Sequence, residues 1–160
     1  MPVACSFILN RRSMSTLVCP GFGSVAAFSG MEPYVDDPDA TAVQKKGPLP
    51  RGTYYIVDRE SGGRLGWLYD LASDLSSGTR RGEWFALYRN DTAIDDWTCV
   101  EGVRRGNFRL HPSGRRGISE GCITLPDRKQ FDKLRTFLKS QRTARVPGAN
   151  FDYYGTVSVR

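Results

Sequence analysis

Short strand-like runs of apolar and polar positions recur along the chain, and a helical period appears in one place. Residues 5–9, 15–19 and 24–29 read as short strands, separated by turn signals at Asn10-Arg11-Arg12 and Pro20-Gly21. Gly47-Pro48-Leu49-Pro50-Arg51-Gly52 is a stiff entry to a β-branched and aromatic strand, Thr53-Tyr54-Tyr55-Ile56-Val57. Trp84, Phe85, Leu87 and Tyr88 mark another strand, and residues 97–100 one more. Phe108-Arg109-Leu110 alternates into His111, and Cys122-Ile123-Thr124-Leu125 forms a second short strand after a glycine-rich loop. Residues 152–159 predict a last strand that closes the sheet.

The helical period falls on residues 127–141. Phe131, Leu134, Phe137 and Leu138 share one face, Asp127 is placed to cap the N-terminus with Gln130 at the reciprocal position, and Pro147-Gly148 marks a break beyond. Residues 65–75 are ambiguous and suit a short helix carrying Trp67 and Leu71, after a turn at Ser61-Gly62-Gly63. Residues 31–46 read as a polar loop whose acidic run, Asp36-Asp37-Pro38-Asp39, lacks the alternating ligands, glycine and closing glutamate of a calcium loop and predicts a solvated segment. The fold class that follows is mainly β (α+β), one principal helix near residues 127–141, in a single domain spanning residues 1–160. The chain has 160 residues, enough for one core. The three tryptophans fit core positions, with the lining of a glycan groove as the alternative.

Charge and cysteine content narrow the picture. The net charge is +6 and the pI about 9.4, which favours an anionic partner. Arg104, Arg105, Arg109, Arg115 and Arg116 cluster in one stretch, which suits a substrate bearing carboxylates. Aromatics interleaved with Lys/Arg, or a nucleic-acid fold signature, are missing, so no nucleic acid is expected. No apolar run approaches the ~18 residues of a membrane span, so no membrane partner is expected. The short run from Val3 to Leu9 does not make a signal peptide, so a substrate outside the cytoplasm requires export by another machine. Of the four cysteines, Cys5 and Cys19 flank a hairpin and are able to pair in an oxidising space, whereas Cys99 is expected to be a small buried hydrophobe.

The chemistry concentrates in Asn107–Pro126. It holds His111, the only histidine, and Cys122 eleven positions on, with Pro112, Gly114, Gly117 and Gly121 between them. A thiol becomes a good nucleophile when a base or positive field makes it a thiolate, and an imidazole does this near neutral pH. Cys122 and His111 are therefore the catalytic candidates. Backbone N–H groups at Gly121 and Cys122 are placed to hold an oxyanion, and Ser119 to order the loop. No metal and no cofactor are called for.

His111 followed by Ser119-x-Gly121-Cys122-Ile123 resembles the active-site signature of L,D-transpeptidases of the bacterial cell wall. Residues 104–126 are more similar to a subfamily of L,D-transpeptidase-related effectors delivered by type VI secretion, with further similarity at residues 47–59 and 84–97. The resemblance implies an L,D-transpeptidase-like β-sandwich or barrel core, an N-terminal β-meander ending at Phe28-Ser29-Gly30, and a cysteine enzyme acting on peptidoglycan stem peptides. It implies L,D-carboxypeptidase action (removal of terminal D-alanine from tetrapeptides) and exchange with D-amino acids, through a Cys122 thioester with His111 as base and a backbone carbonyl orienting His111. Substrate contacts are expected at Arg109, Ser113 and Gly114. Glu120 stands where the broader family has histidine, and Thr124 where it has arginine or asparagine, which suggests trimming and exchange over cross-linking. An effector of this kind implies a secretion apparatus, action in the target periplasm and a cognate periplasmic immunity protein. Competing readings are a cell-wall cysteine endopeptidase or amidase, which usually places Cys before His, and a non-catalytic basic wall-binding module.

Overall fold

The computed structural model describes residues 2–59, 83–114 and 120–160. Among the described residues the strands are β1 (Val3–Phe7), β2 (Ser15–Cys19), β3 (Gly23–Ala27), β4 (Gly52–Asp58), β5 (Phe85–Arg89), β6 (Trp97–Val100), β7 (Val103–Gly106), β8 (Arg109–Pro112), β9 (Ile123–Leu125), β10 (Ala144–Arg145), β11 (Asp152–Tyr153) and β12 (Gly155–Val159). The helix is α1 (Arg128–Lys139). The expected helix within residues 65–75, with its preceding turn, lies outside the described residues.

Eight strands form one sheet in the order β3-β2-β1-β12-β4-β5-β8-β9. Most neighbours are antiparallel; β1 with β12 and β8 with β9 are parallel. The two ends meet at Phe28, whose N–H donates to the Thr124 carbonyl (2.9 Å) and whose carbonyl accepts from the Thr124 N–H (2.8 Å). That bridge closes the sheet into a barrel, which removes the open edges an eight-stranded sheet would otherwise present. The expected mainly β fold with one principal helix is the observed one.

The period-two pattern explains which side chains enter the barrel. Val3, Cys5 and Phe7 of β1 and Leu17 and Cys19 of β2 point inward, while Ala4, Thr16 and Val18 face solvent. Cys5 and Cys19 are joined by a disulfide within this core. β4 and β5 are buried on both faces, as their unbroken apolar runs require. Tyr54, Ile56, Phe85 and Leu87 face the barrel; Tyr55, Val57, Ala86 and Tyr88 form a second cluster with Val146, Phe151 and Tyr153. Asp127 caps α1 by accepting from the N–H groups of Lys129 and Gln130, and Phe131, Leu134 and Leu138 seal the main core. Phe137 is half-buried and packs on Phe22. No described helix is long and apolar enough to cross a membrane.

Three expectations about individual residues are corrected. Asp36 is fully buried rather than solvated: its carboxylate accepts from the Ser29 N–H (2.9 Å), because the loop folds back onto the end of β3. Asp37 and Asp39 remain outside, paired with Arg11. Cys99 is exposed, since it lies on the outward face of the β6–β7 hairpin opposite Arg104. Trp97, on the same face, is 42% exposed with Arg104 stacked over its ring.

Candidate active site

The parallel pairing of β8 with β9 builds the site. Leu110 lies opposite Ile123 and both enter the barrel core, so the next pair in register, His111 and Thr124, occupies the other face of the sheet. Both are buried, His111 at 4% exposure and Thr124 at 0%. Cys122 immediately precedes β9, two positions before Thr124, and the alternation of strand side chains puts it on the side of Thr124 and His111. The structure therefore puts the two chemical candidates on adjacent parallel strands, His111 level with Thr124 and Cys122 one position before the Ile123 that faces Leu110.

The imidazole is held from several directions. Its Nδ1 lies 2.7 Å from the Pro112 carbonyl and its Nε2 lies 3.3 Å from the Thr124 hydroxyl. A carbonyl only accepts, so Nδ1 carries the proton and Nε2 presents its lone pair in the neutral ring. Trp84 stacks on His111 at 4.3 Å between ring centroids, and the Arg59 guanidinium lies over Trp84 at 5.2 Å. Glu83 anchors this layer to the helix: its side chain pairs with Arg128, and its carbonyl accepts from Arg135.

The thiol is buried at 7% exposure, and Cys122 Sγ donates to the Asn107 carbonyl across 3.7 Å. Burial pushes the thiol up to about 11. The Arg109 backbone N–H and guanidinium pull against that rise, Glu120 adds to it, and Arg59 opposes it. At neutral pH the resting sulfur is therefore a thiol that needs a base.

Arg109 is fixed by a two-point ion pair, Nη1 to Asp96 Oδ1 at 2.6 Å and Nη2 to Oδ2 at 2.9 Å, so a substrate carboxylate there meets a guanidinium already paired. Arg105 turns inward and donates to the carbonyls of Thr41, Pro48 and Gly47 at 2.7, 2.5 and 2.9 Å. It ties the 41–48 loop to the cysteine loop: a Cβ on Gly121 would lie 2.6 Å from its Nη2. Gly121 also has φ +81°, so both space and conformation demand glycine there. Ser113, whose N–H donates to the Leu125 carbonyl, and Gly114 follow β8 at the C-terminal end of the strand pair, whereas Gly121 and Cys122 lead into its N-terminal end. Ser119, Arg115 and Arg116 lie outside the described residues. No three described His, Cys, Asp or Glu side chains converge to hold a metal.

Sequence patterning does not pick out Asp96, Trp84, Arg59 or Thr124. Asp96 had a weak signal, because pairing residues 97–100 with 103–106 as a hairpin carries it toward Arg109. Trp84 and Arg59 had none, since stacking between β4, β5 and β8 depends on long-range register.

Neither a curated protein nor a solved structure matches the chain. The family model described as the Tlde1 domain matches residues 23–149, from β3 through the site to the segment beyond β10. That span is well over half of the chain, so the chain belongs to the Tlde1 domain family of type VI secretion effectors.

Proposed function

We propose that the chain is a peptidoglycan L,D-carboxypeptidase with L,D-transpeptidase exchange activity, acting as one catalytic domain through a Cys122 thioester. The observation that carries the proposal is the register of β8 on β9, which sets His111 opposite Thr124 with Cys122 two positions back, its Nδ1 fixed on the Pro112 carbonyl.

The buried, protonated thiol favours general-base activation over a resting ion pair. The Cys122 proton passes to His111 Nε2 as sulfur attacks the carbonyl carbon between the diamino acid and the terminal D-alanine of a tetrapeptide stem. A C–S bond forms and the carbonyl π electrons move onto oxygen, where the N–H groups of Gly121 and Cys122 hold the charge. The imidazolium returns the proton to the departing amine, the C–N bond breaks, and D-alanine leaves. Water then attacks the thioester, its proton taken by His111, and the C–S bond breaks to give a tripeptide and the thiol. A D-amino acid amine in place of water gives exchange. Arg109 and Arg59 supply positive field at the developing thiolate. Ser113 and Gly114 are proposed to line the approach of the stem, and Ser119 to order the loop beside the thiol.

Membership of an effector family brings a secretion apparatus and a neutralising partner as general expectations. The substrate places the action in the target periplasm, with an immunity protein there to guard the producer. Mass spectrometry of tetrapeptide muropeptides tests the proposal: wild type should release D-alanine, Cys122→Ala should release none and still bind sacculi. A folded wild type that leaves tetrapeptides intact, or yields cross-linked dimers alone, overturns it.

A further inference from the structure

Thr124 sits at an unusual crossing of constraints. Its backbone closes the barrel on Phe28 through two hydrogen bonds, its side chain is fully buried, and its hydroxyl lies 3.3 Å from His111 Nε2. A β-branched side chain on a doubly bonded backbone has little rotamer freedom, so the hydroxyl oxygen is a fixed point. A buried hydroxyl also requires a partner. The nitrogen it meets is the one left to take a proton, since Nδ1 is engaged by the Pro112 carbonyl.

We propose that Thr124 is the positioning residue for His111, its hydroxyl holding the resting neutral ring through Nε2 and yielding that lone pair as the thiol proton arrives. The inference rests on the role given to His111 above. A hydroxyl suits the task because it donates and its proton is free to rotate. It donates to the Nε2 lone pair of the neutral imidazole, which fixes the ring plane and the Nδ1–H tautomer, and it turns away about its C–O bond when that lone pair takes the thiol proton. The frame is short: Thr124 is in register with His111 on the facing strand and two residues from Cys122 on its own.

His111 is the only histidine, so its imidazole nitrogens are unambiguous in a ¹⁵N spectrum of uniformly labelled protein. The comparison is wild type, Thr124→Ser and Thr124→Val, each read by ¹⁵N chemical shifts, thermal unfolding, and kcat and KM for D-alanine release. Wild type should show a protonated Nδ1 and an Nε2 shifted as a hydrogen-bonded acceptor. Thr124→Val should keep the Nδ1 proton, move Nε2 toward the shift of a lone pair without a donor, and lose about ten- to a hundredfold in kcat with KM little changed. Thr124→Ser should restore both. An Nε2 shift identical in Thr124→Val and wild type overturns the proposal, as does full activity in Thr124→Val. Should Thr124→Val not fold, a wild-type spectrum with a protonated Nε2 or mixed tautomers overturns it alone. If Nε2 responds as expected while wild type releases no D-alanine, the positioning role stands and the enzymatic reading falls.

Discussion

The two ends of the eight-stranded sheet are built by opposite strategies. At one end, β1 and β2 alternate cleanly between core and solvent and are stapled by the Cys5–Cys19 disulfide. At the other, β8 and β9 are buried on both faces and carry a histidine, a threonine and, just before β9, a reduced thiol away from water. The first end is held by apolar burial and a covalent bond; the second keeps polar groups buried by giving them fixed partners. Buried polar groups cost free energy unless bonded, so the site end depends on its neighbours and the hairpin end does not. The seam between them is the Phe28–Thr124 bridge, with Ser29 and Asp36 locked behind it.

The contrast breaks most sharply at Arg105. Arg105→Ala leaves three buried carbonyls without their donor and should cost about 3–5 kcal/mol in urea unfolding. A loss below about 1 kcal/mol would mean that water replaces the guanidinium, and the site end would not depend on it.

The hairpin end should respond next. Replacing Cys5 and Cys19 together by serine opens a cross-link between residues 14 apart and should lower stability by about 3 kcal/mol. D-alanine release by the fraction still folded should be unchanged, because Cys5 and Cys19 lie in the barrel core whereas His111 lies on the opposite face of its strand from the core residue Leu110. A fall in kcat for that fraction would show that the two ends are coupled.

The seam gives a pH-dependent signature. Burial raises the Asp36 carboxyl to about 7, with the Ser29 N–H opposing the rise, whereas an unfolded aspartate titrates near ~3.9. Between those values the folded state binds more protons, so the stability contributed is present at low pH and lost as pH rises toward neutrality. Asp36→Asn should remove this slope and stabilise the protein at pH 8 by about 2 kcal/mol. Parallel thermal-unfolding curves for the two proteins from pH 4 to 8 would contradict it.

The least disruptive test compares thiols without changing the fold. Under native labelling with iodoacetamide at pH 7.5, exposed Cys99 should react first. Cys122, held up to about 11, should react about a hundredfold more slowly than an unperturbed thiol and accelerate as pH rises past 9. Equal rates at the two positions, read by peptide mass spectrometry, would remove the case for a resting protonated sulfur.

Much of the fold was legible because strand and helix periodicities are local. The alternation in residues 5–9 and 15–19, the two-sided apolar run at Tyr54–Val57 and the Phe131, Leu134 and Leu138 stripe each report a face from neighbouring residues alone. The pairing of His111 with the cysteine strand was legible too, since two short strands flank one glycine-rich loop. Local pattern cannot say what covers a face. Asp36 reads as one more loop aspartate until Ser29 is folded against it, and Cys99 reads as a core thiol until the hairpin turns that face outward.

By itself the sequence determined the strands, the helix and the residues able to do thiol chemistry, because hydrophobic period and side-chain type are written in adjacent positions. Only the tertiary structure decided that Asp96 engages Arg109, that Arg105 holds a loop some sixty residues away, and that Trp84 and Thr124 enclose the imidazole. The physical reason is register: a shift of one residue between β8 and β9 would send His111 into the barrel and Leu110 into the site. Register is set by the closure of the whole sheet, which no single stretch of the chain contains.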